Sequence, residues 1–339
     1  MKKLLINASR SYFVTIGDDL SVISGAEELV KGEKIAVITD DNVSFLYGGT
    51  LDRFFPNKKI FDYTIKAGEN SKSPENYLAI LGFLAENGFC RDDAVLAFGG
   101  GVVGDLAAFC ASTYMRGITL ISVPTTILAA VDSSVGGKTA INLSVGKNLC
   151  GTFYQPHGVF ICTKFFSTLS EREIACGLGE IIKYSLLSDG LDLESVKNGV
   201  TEDVVYKCVE IKARIVERDE RESGERKLLN LGHTVGHAIE KKSGFSISHG
   251  ECVVKGLYAI LKVSQKFYGF DQNTFERGKK IIETFSHDLY NPFSADELID
   301  IIRSDKKGTA EYIDVVLLDK DLSPKIERLS FEKLRELLK

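Results

Sequence analysis

Three of the five histidines fall within seventeen positions, His233 and His237 in NLGHTVGHAIE and His249 in SISHGE. Spaced four apart on a predicted helix, the first two share a face, and His249 opens the next helix; a lone histidine is more often a structural residue, but imidazoles gathered in this way suit a divalent metal. The segment GLGEIIKYSLL adds Glu180, on another predicted helix, as an oxygen donor. Spacing leaves open which three of these four groups would bind. Thr234 stands where the glutamate of a zincin motif would be, which argues against a metalloprotease.

A second group of residues is suited to phosphate. Gly99, Gly101 and Gly104 fit GxGxxG after a predicted strand and before a helical stretch. Backbone N–H groups and a helix N-terminus placed there can meet a pyrophosphate, although the same glycines would also serve a plain strand-to-helix turn. The loop follows the third or fourth strand instead of the first, and the acid that ordinarily holds a ribose about twenty positions on is missing. Just downstream, VDSSVGGKTAINLSVGKN sets Asp132, Lys138, Lys147 and Asn148 among small residues, with Arg116 shortly before them. A lysine there acts as a point charge for phosphate, and an aspartate can orient a sugar hydroxyl.

Elements of two kinds must hold these groups. Up to about Thr163, short apolar strands alternate with helical patterns: Lys34–Thr39, Lys59–Ile65, Asp93–Phe98, Ile118–Val123 and Val159–Cys162. Such alternation predicts an α/β layer with a mostly parallel sheet. From about Ser170 the period is that of helices. Val205, Cys208, Ile211 and Ile215 recur at three- and four-residue steps with Lys212 at the edge of the apolar face, and further helices are predicted over Lys227–Lys242, Gly250–Tyr268, Gln272–Phe285 and Phe331–Leu338, with one strand at Tyr312–Leu318. The reading is therefore an α/β domain over 1–168 and a mainly helical domain over 169–339, with the active site expected in the cleft between them.

Composition narrows the partners. With 42 basic against 47 acidic residues, a net charge of −5 and no long charge block, neither a nucleic-acid nor a membrane-surface binder is expected. No window reaches the apolar length of a membrane span, and the opening MKKLLINASRSYFVTIGDD reads as a first strand. Seven scattered cysteines without CxxC suit core packing in a reducing, cytoplasmic setting.

In sequence order, GGGVVGDLAAF, YMRG, VPTTILAAVDSSVGGKTAIN, GKNLCGTFYQP, GLGEIIKY, DERESGERKLLNLGHTVGHAIE and SHGECV resemble the signatures of the 3-dehydroquinate synthases, within the sugar-phosphate cyclases. The resemblance runs from about Asp40 to Lys307 and is densest between Gly99 and Glu251. It implies a Rossmann-like N-terminal domain binding NAD and a helical C-terminal domain carrying one divalent metal, zinc or cobalt. The implied reaction turns 3-deoxy-D-arabino-heptulosonate 7-phosphate into 3-dehydroquinate and phosphate by transient oxidation, phosphate elimination, reduction, ring opening and an intramolecular aldol closure.

By the same resemblance, Glu180, His233 and His249 are the metal ligands and His237 neighbours the leaving phosphate. Gly100, Gly101 and Val102 meet the pyrophosphate, Asp105 lies at the nicotinamide end, and Glu69 and Lys72 hold the adenosine ribose, replacing the missing acid. Asp40, Asn42, Thr125, Thr126, Lys138, Lys147 and Thr168 match further cofactor contacts. Asp132, Lys138, Asn148, Lys183, Lys212, Arg226 and Asn230 match groups holding the substrate, joined by Lys306 or Lys307. Arg116 matches a phosphate ligand from a second subunit, which implies a homodimer. Sibling cyclases such as 2-deoxy-scyllo-inosose or aminodehydroquinate synthases, polyol dehydrogenases of the glycerol dehydrogenase type, and a non-catalytic NAD-binding regulator are the alternatives. The lysine set and Arg226 favour a carboxylate-bearing substrate over these.

Overall fold

A computed structural model describes residues 1–286, 288–305 and 311–339. Lys306 and Lys307, the two phosphate-binding candidates near the C-terminal end, lie outside the described residues.

In chain order the first stretch is β1 (Lys2–Ile6), β2 (Tyr12–Gly17), β3 (Lys34–Asp40), α1 (Asp41–Tyr47), β4 (Lys59–Ile65), α2 (Pro74–Glu86), β5 (Ala94–Gly99), α3 (Gly101–Thr113), β6 (Thr119–Pro124), β7 (Lys138–Leu143), β8 (Gly146–Phe153) and β9 (Gly158–Cys162). Then come α4 (Glu171–Leu187), α5 (Leu193–Val196), α6 (Glu202–Arg218), α7 (His233–Lys242), α8 (His249–Tyr268), α9 (Gln272–Ile282), α10 (Ala295–Asp305), β10 (Tyr312–Leu318), β11 (Pro324–Ser330) and α11 (Phe331–Leu338). The chain divides into two compact units, one of Met1–Leu169 with Val200–Glu220, the other of Ser170–Gly199 with Arg221–Lys339.

In the first unit a seven-stranded sheet runs in the order β1-β2-β9-β6-β5-β3-β4, parallel throughout except for β1 against β2. Strands β5 and β9 are buried along their whole length, as parallel strands covered on both faces are, which is why they read as continuous apolar runs. From β3 the chain passes through α1 to β4 on one side, whereas from β5 it passes through α3 to β6 on the other. The carboxyl ends of β3 and β5 thus form a topological switch point, the crevice where open α/β sheets bind ligands. A separate hairpin, β7 against β8, packs on α3.

Helix α6 departs from the expected 168/169 division. It groups with the first unit because Val205, Cys208, Val209 and Val216 are buried on a face turned to β1, β2 and the turn around Asp132. Its ends are tied there too: Lys2 pairs with Asp203, the Asn7 N–H donates to Glu217 (2.7 Å) and the Ser9 N–H and hydroxyl donate to Glu220 (2.8 and 2.6 Å).

The second unit is mainly helical, with the β10–β11 hairpin on one side of its core. Helix α8 lies at its centre, packed by α4, α7, α9, α11 and β10 around Ile239, Leu257, Leu261 and Leu317. The predicted helix over Lys227–Lys242 is broken. A 3₁₀ turn over Glu225–Asn230 ends at Leu231, and α7 begins only at His233, because Gly232 is left-handed (φ 78°) and lies against α8. A Cβ there would come within 2.8 Å of Leu257, so the break cannot be filled.

Candidate active site

Each residue of the histidine cluster is adjacent in sequence to a glycine at which two backbones meet. A Cβ on Gly179 would lie 2.5 Å from the Gly250 carbonyl, one on Gly250 2.3 Å from that of Cys176, and one on Gly236 2.8 Å from that of Cys252. Helices α4, α7 and α8 therefore approach at backbone contact, and Glu180, His233 and His249 converge. A capping box, with the Ser248 N–H donating to Glu251 (3.0 Å), fixes where α8 starts and hence where His249 stands.

The fully buried Glu180 presents Oε1 at 3.2 Å from Nε2 of both His233 and His249. The other ring nitrogens are also engaged, Nδ1 of His233 with the Leu231 carbonyl and Nδ1 of His249 with Glu240, each at 3.2 Å. Outer partners of this kind fix the ring orientation of metal-bound histidines. Burial pushes the Glu180 carboxyl up, but Lys183, in direct contact, and His233 outweigh it and hold the group well below its usual range. One carboxylate and two imidazoles meeting at one point fit a divalent metal such as zinc or cobalt. His237 lies one turn along α7, its ring 5.1 Å from that of His233 and 5.8 Å from that of His249. Nitrogens of the three histidines lie within 4.8 Å of one another, but it is Glu180 that sits in contact with both His233 and His249. In the same unit Lys183, beside Glu180, and Arg226 are buried, and Asn230 donates to Glu222 (2.6 Å).

In the first unit, most residues matched to cofactor contacts follow the carboxyl ends of parallel strands: Asp40 and Asn42 at β3, Glu69 and Lys72 after β4, Gly100–Val102 after β5, Thr125 and Thr126 after β6, Thr168 after β9; Lys138 and Lys147 lie on the β7–β8 hairpin instead. Helix α3 has Gly100 as its N-cap and no side-chain cap, leaving its first N–H groups for an anion. A Cβ on Gly100 would come within 3.1 Å of Thr126, and one on Gly101 within 3.2 Å of Ser133. A pocket opens beside this turn, lined among others by Gly100, Gly104, Asp105, Ser133, Lys138 and Tyr154. The uncapped helix and the bare glycine turn suit a dinucleotide pyrophosphate. Asp40 caps α1 through the Val43 N–H (3.0 Å), Asn42 is exposed on that helix, and Thr168 shares a hydrogen bond with Tyr47 (2.8 Å).

Two further groupings appear. A π-turn over Ala129–Ser133 presents Asp132, which receives Lys212 from α6 at its carbonyl (2.5 Å) and carboxylate (3.1 Å). The buried Lys72 donates to Asp105 and to Asn148, both at 2.5 Å. Asp105 is pushed up by burial, against the pull of Lys72. Arg116 is exposed and left-handed (φ 66°), between Met115 (48°) and Gly117 (114°). Lys147 is partly buried on the β7–β8 hairpin. Sequence reasoning missed Asn142, Tyr47, Glu222 and Glu240. Of these only Glu240 left a visible signal, three residues past His237 on the same helix.

A chain with one α/β unit that carries its glycine turn at the switch point and one helical unit that carries a carboxylate–imidazole cluster has the fold of the sugar-phosphate cyclases. A solved 2-deoxy-scyllo-inosose synthase, complexed with carbaglucose-6-phosphate, NAD⁺ and Co²⁺, superposes with a TM-score of 0.89 at 23% identity, covering 99% of both chains. A 2-epi-5-epi-valiolone synthase from Streptomyces hygroscopicus, with NAD⁺ and Zn²⁺ bound, gives 0.84 at 22% identity, over 98% of this chain and 97% of that one. In sequence, the family models described as 3-dehydroquinate synthase N-terminal and C-terminal match residues 62–176 and 177–308. The 3-dehydroquinate synthase of Clostridium acetobutylicum is 42% identical over 326 residues, 91% of this chain and 90% of the relative. The chain belongs to the 3-dehydroquinate synthase family.

Proposed function

We propose that the chain converts 3-deoxy-D-arabino-heptulosonate 7-phosphate to 3-dehydroquinate and inorganic phosphate, in the shikimate route to aromatic amino acids. The observation that carries this reading is the Glu180 carboxylate, in contact with both His233 and His249 in a chain that shares the family's sequence over both units. When bound, NAD⁺ accepts and later returns a hydride while a divalent zinc or cobalt polarises the substrate oxygen. Glu180, His233 and His249 hold the metal, and the α3 N-terminus with Gly100, Gly101 and Val102 holds the pyrophosphate. Asp40, Asn42, Glu69, Lys72, Asp105, Thr125, Thr126, Lys147 and Thr168 complete the dinucleotide contacts.

Lys138, Asn148, Lys183, Lys212, Arg226 and Asn230 bind the substrate carboxylate, hydroxyls and phosphate, and Asp132 fixes Lys212. His237 stands beside the phosphate. These cations stabilise the phosphate as its C–O bond breaks. The proton of the adjacent carbon passes to an oxygen of the phosphate itself, so the protein needs no strong base. Arg116 serves the phosphate of a second copy, making the working form a homodimer, and the enzyme acts in the cytoplasm. Among the described residues no helix is long and apolar enough to cross a membrane.

An assay with limiting NAD⁺ tests the reading, following phosphate by colour, NADH by absorbance and 3-dehydroquinate through its dehydratase. Phosphate in many-fold excess over NAD⁺ is expected, because the hydride is returned in each turnover. NADH rising in step with substrate loss would mean a polyol dehydrogenase. Phosphate released only from glucose 6-phosphate would mean the inosose synthase sibling, whose fold is so close.

A further inference from the structure

Strand β7 loses its regular pairing with β8 between Ile141 and Leu143. Such an irregularity re-aims the side chain at its centre and frees its backbone from the ladder. The residue at that point is Asn142, and its backbone N–H and both ends of its side-chain amide are in use. Its backbone N–H donates to the Lys72 carbonyl (2.8 Å), its side-chain Nδ2 donates to Glu69 (2.7 Å), and its Oδ1 accepts the N–H of Asn148 (2.9 Å). Asn148, left-handed at φ 57°, in turn accepts from Lys72, which also holds Asp105.

The circuit Glu69–Asn142–Asn148–Lys72–Asp105 joins two sets of groups that the proposed function keeps apart. Glu69, Lys72 and Asp105 belong to the dinucleotide; Asn148 belongs to the substrate. An amide donates to a carboxylate with its nitrogen while accepting a backbone N–H with its oxygen, so one side chain bridges the two. We propose that Asn142 is a positioning residue that couples the two ligands: ordering of Glu69 and Lys72 by the dinucleotide sets the backbone of Asn148, and with it the substrate contact. This inference rests on the assignment of those residues to dinucleotide and substrate.

NADH gives a direct test, because it cannot accept a hydride and its complex with the heptulosonate phosphate is inert. The affinity of the metal-loaded enzyme for NADH would be measured by fluorescence with and without substrate. In the unaltered enzyme substrate should tighten NADH by about fivefold or more. Asn142→Ala should bring this factor close to one. Asn142→Asp keeps the acceptor for Asn148 but sets a second carboxylate against Glu69, so it should weaken NADH by about tenfold. Substrate affinity in the absence of NADH should stay within about twofold for this isosteric variant, which also serves if Asn142→Ala does not fold. An unaltered coupling factor in Asn142→Ala, or undiminished NADH affinity in Asn142→Asp, would overturn the inference, as would a coupling factor of one in the unaltered enzyme. Absence of any NADH binding by the unaltered enzyme would instead sink the functional reading beneath it.

Discussion

At the scale of single residues, the central question is which groups hold the metal. The nitrogens of three histidines lie together, and Glu180 Oε1 sits against the rings of His233 and His249, both of which are anchored at their far nitrogens. Carboxylates on both sides overcome the burial of His249 and raise its pKa to about 10, whereas burial and the two neighbouring imidazoles push His237 down to about 3. A metal ligand needs such a preset anionic partner less than it needs fixed direction, and direction is what Leu231 and Glu240 supply. His249→Ala should therefore lose both metal and turnover, while His237→Ala keeps metal and loses activity. Elemental analysis after gel filtration separates the outcomes; full occupancy in His249→Ala would pass the ligand role to His237. The four candidates were legible from spacing alone. The choice among them was not, since it depends on a contact between residues about fifty to seventy positions apart.

Elements decide whether those side chains meet at all. Helices α4 and α8 touch through Gly179 and Gly250, next to Glu180 and His249, so side-chain bulk at either glycine forces those two side chains apart. Gly250→Ala would set a methyl 2.3 Å from the Cys176 carbonyl, where backbone must yield. The expected cost is about 1–3 kcal/mol of stability, and metal affinity should fall further than stability alone explains. A thermal melt and a chelator competition read the two effects separately; unchanged metal affinity would show that the glycine contact is not what places the ligands. Sequence patterns announced the central strands and most helices but not this geometry. The break before His233 was hidden because Leu228, Leu229 and Leu231 continue an apolar rhythm across Gly232, and only the approach of α8 at Leu257 reveals that the chain must turn there. The β7–β8 hairpin was hidden for the opposite reason. Strand β8 carries two glycines and is exposed or only partly buried throughout, and β7 buries three residues in a row, so neither shows apolar alternation.

For the whole molecule, periodicity told which face of α6 is apolar but could not tell which core covers it. The chain leaves the first unit at Leu169, returns for Val200–Glu220 and leaves again, so that unit is discontinuous in sequence. Val205, Cys208, Val209 and Val216 are fully buried on α6. At about 1.5–3 kcal/mol for each large apolar side chain, their burial is comparable to the roughly 5–15 kcal/mol net stability of a domain. The same helix delivers Lys212 to Asp132, and its Glu217, with Glu220 just past its end, anchors the loop after β1. Residues 1–169 expressed alone should therefore expose apolar surface, bind a hydrophobic dye and melt without a cooperative transition. The same residues joined to 200–220 by a glycine–serine linker should fold cooperatively and bind NADH, since the residues matched to the dinucleotide all lie within 1–169. Calorimetry and NADH fluorescence on the two chains decide the matter. A cooperative melt from 1–169 alone would show that α6 is a passenger on this unit, and that its burial contributes to presenting Lys212 without holding the sheet together.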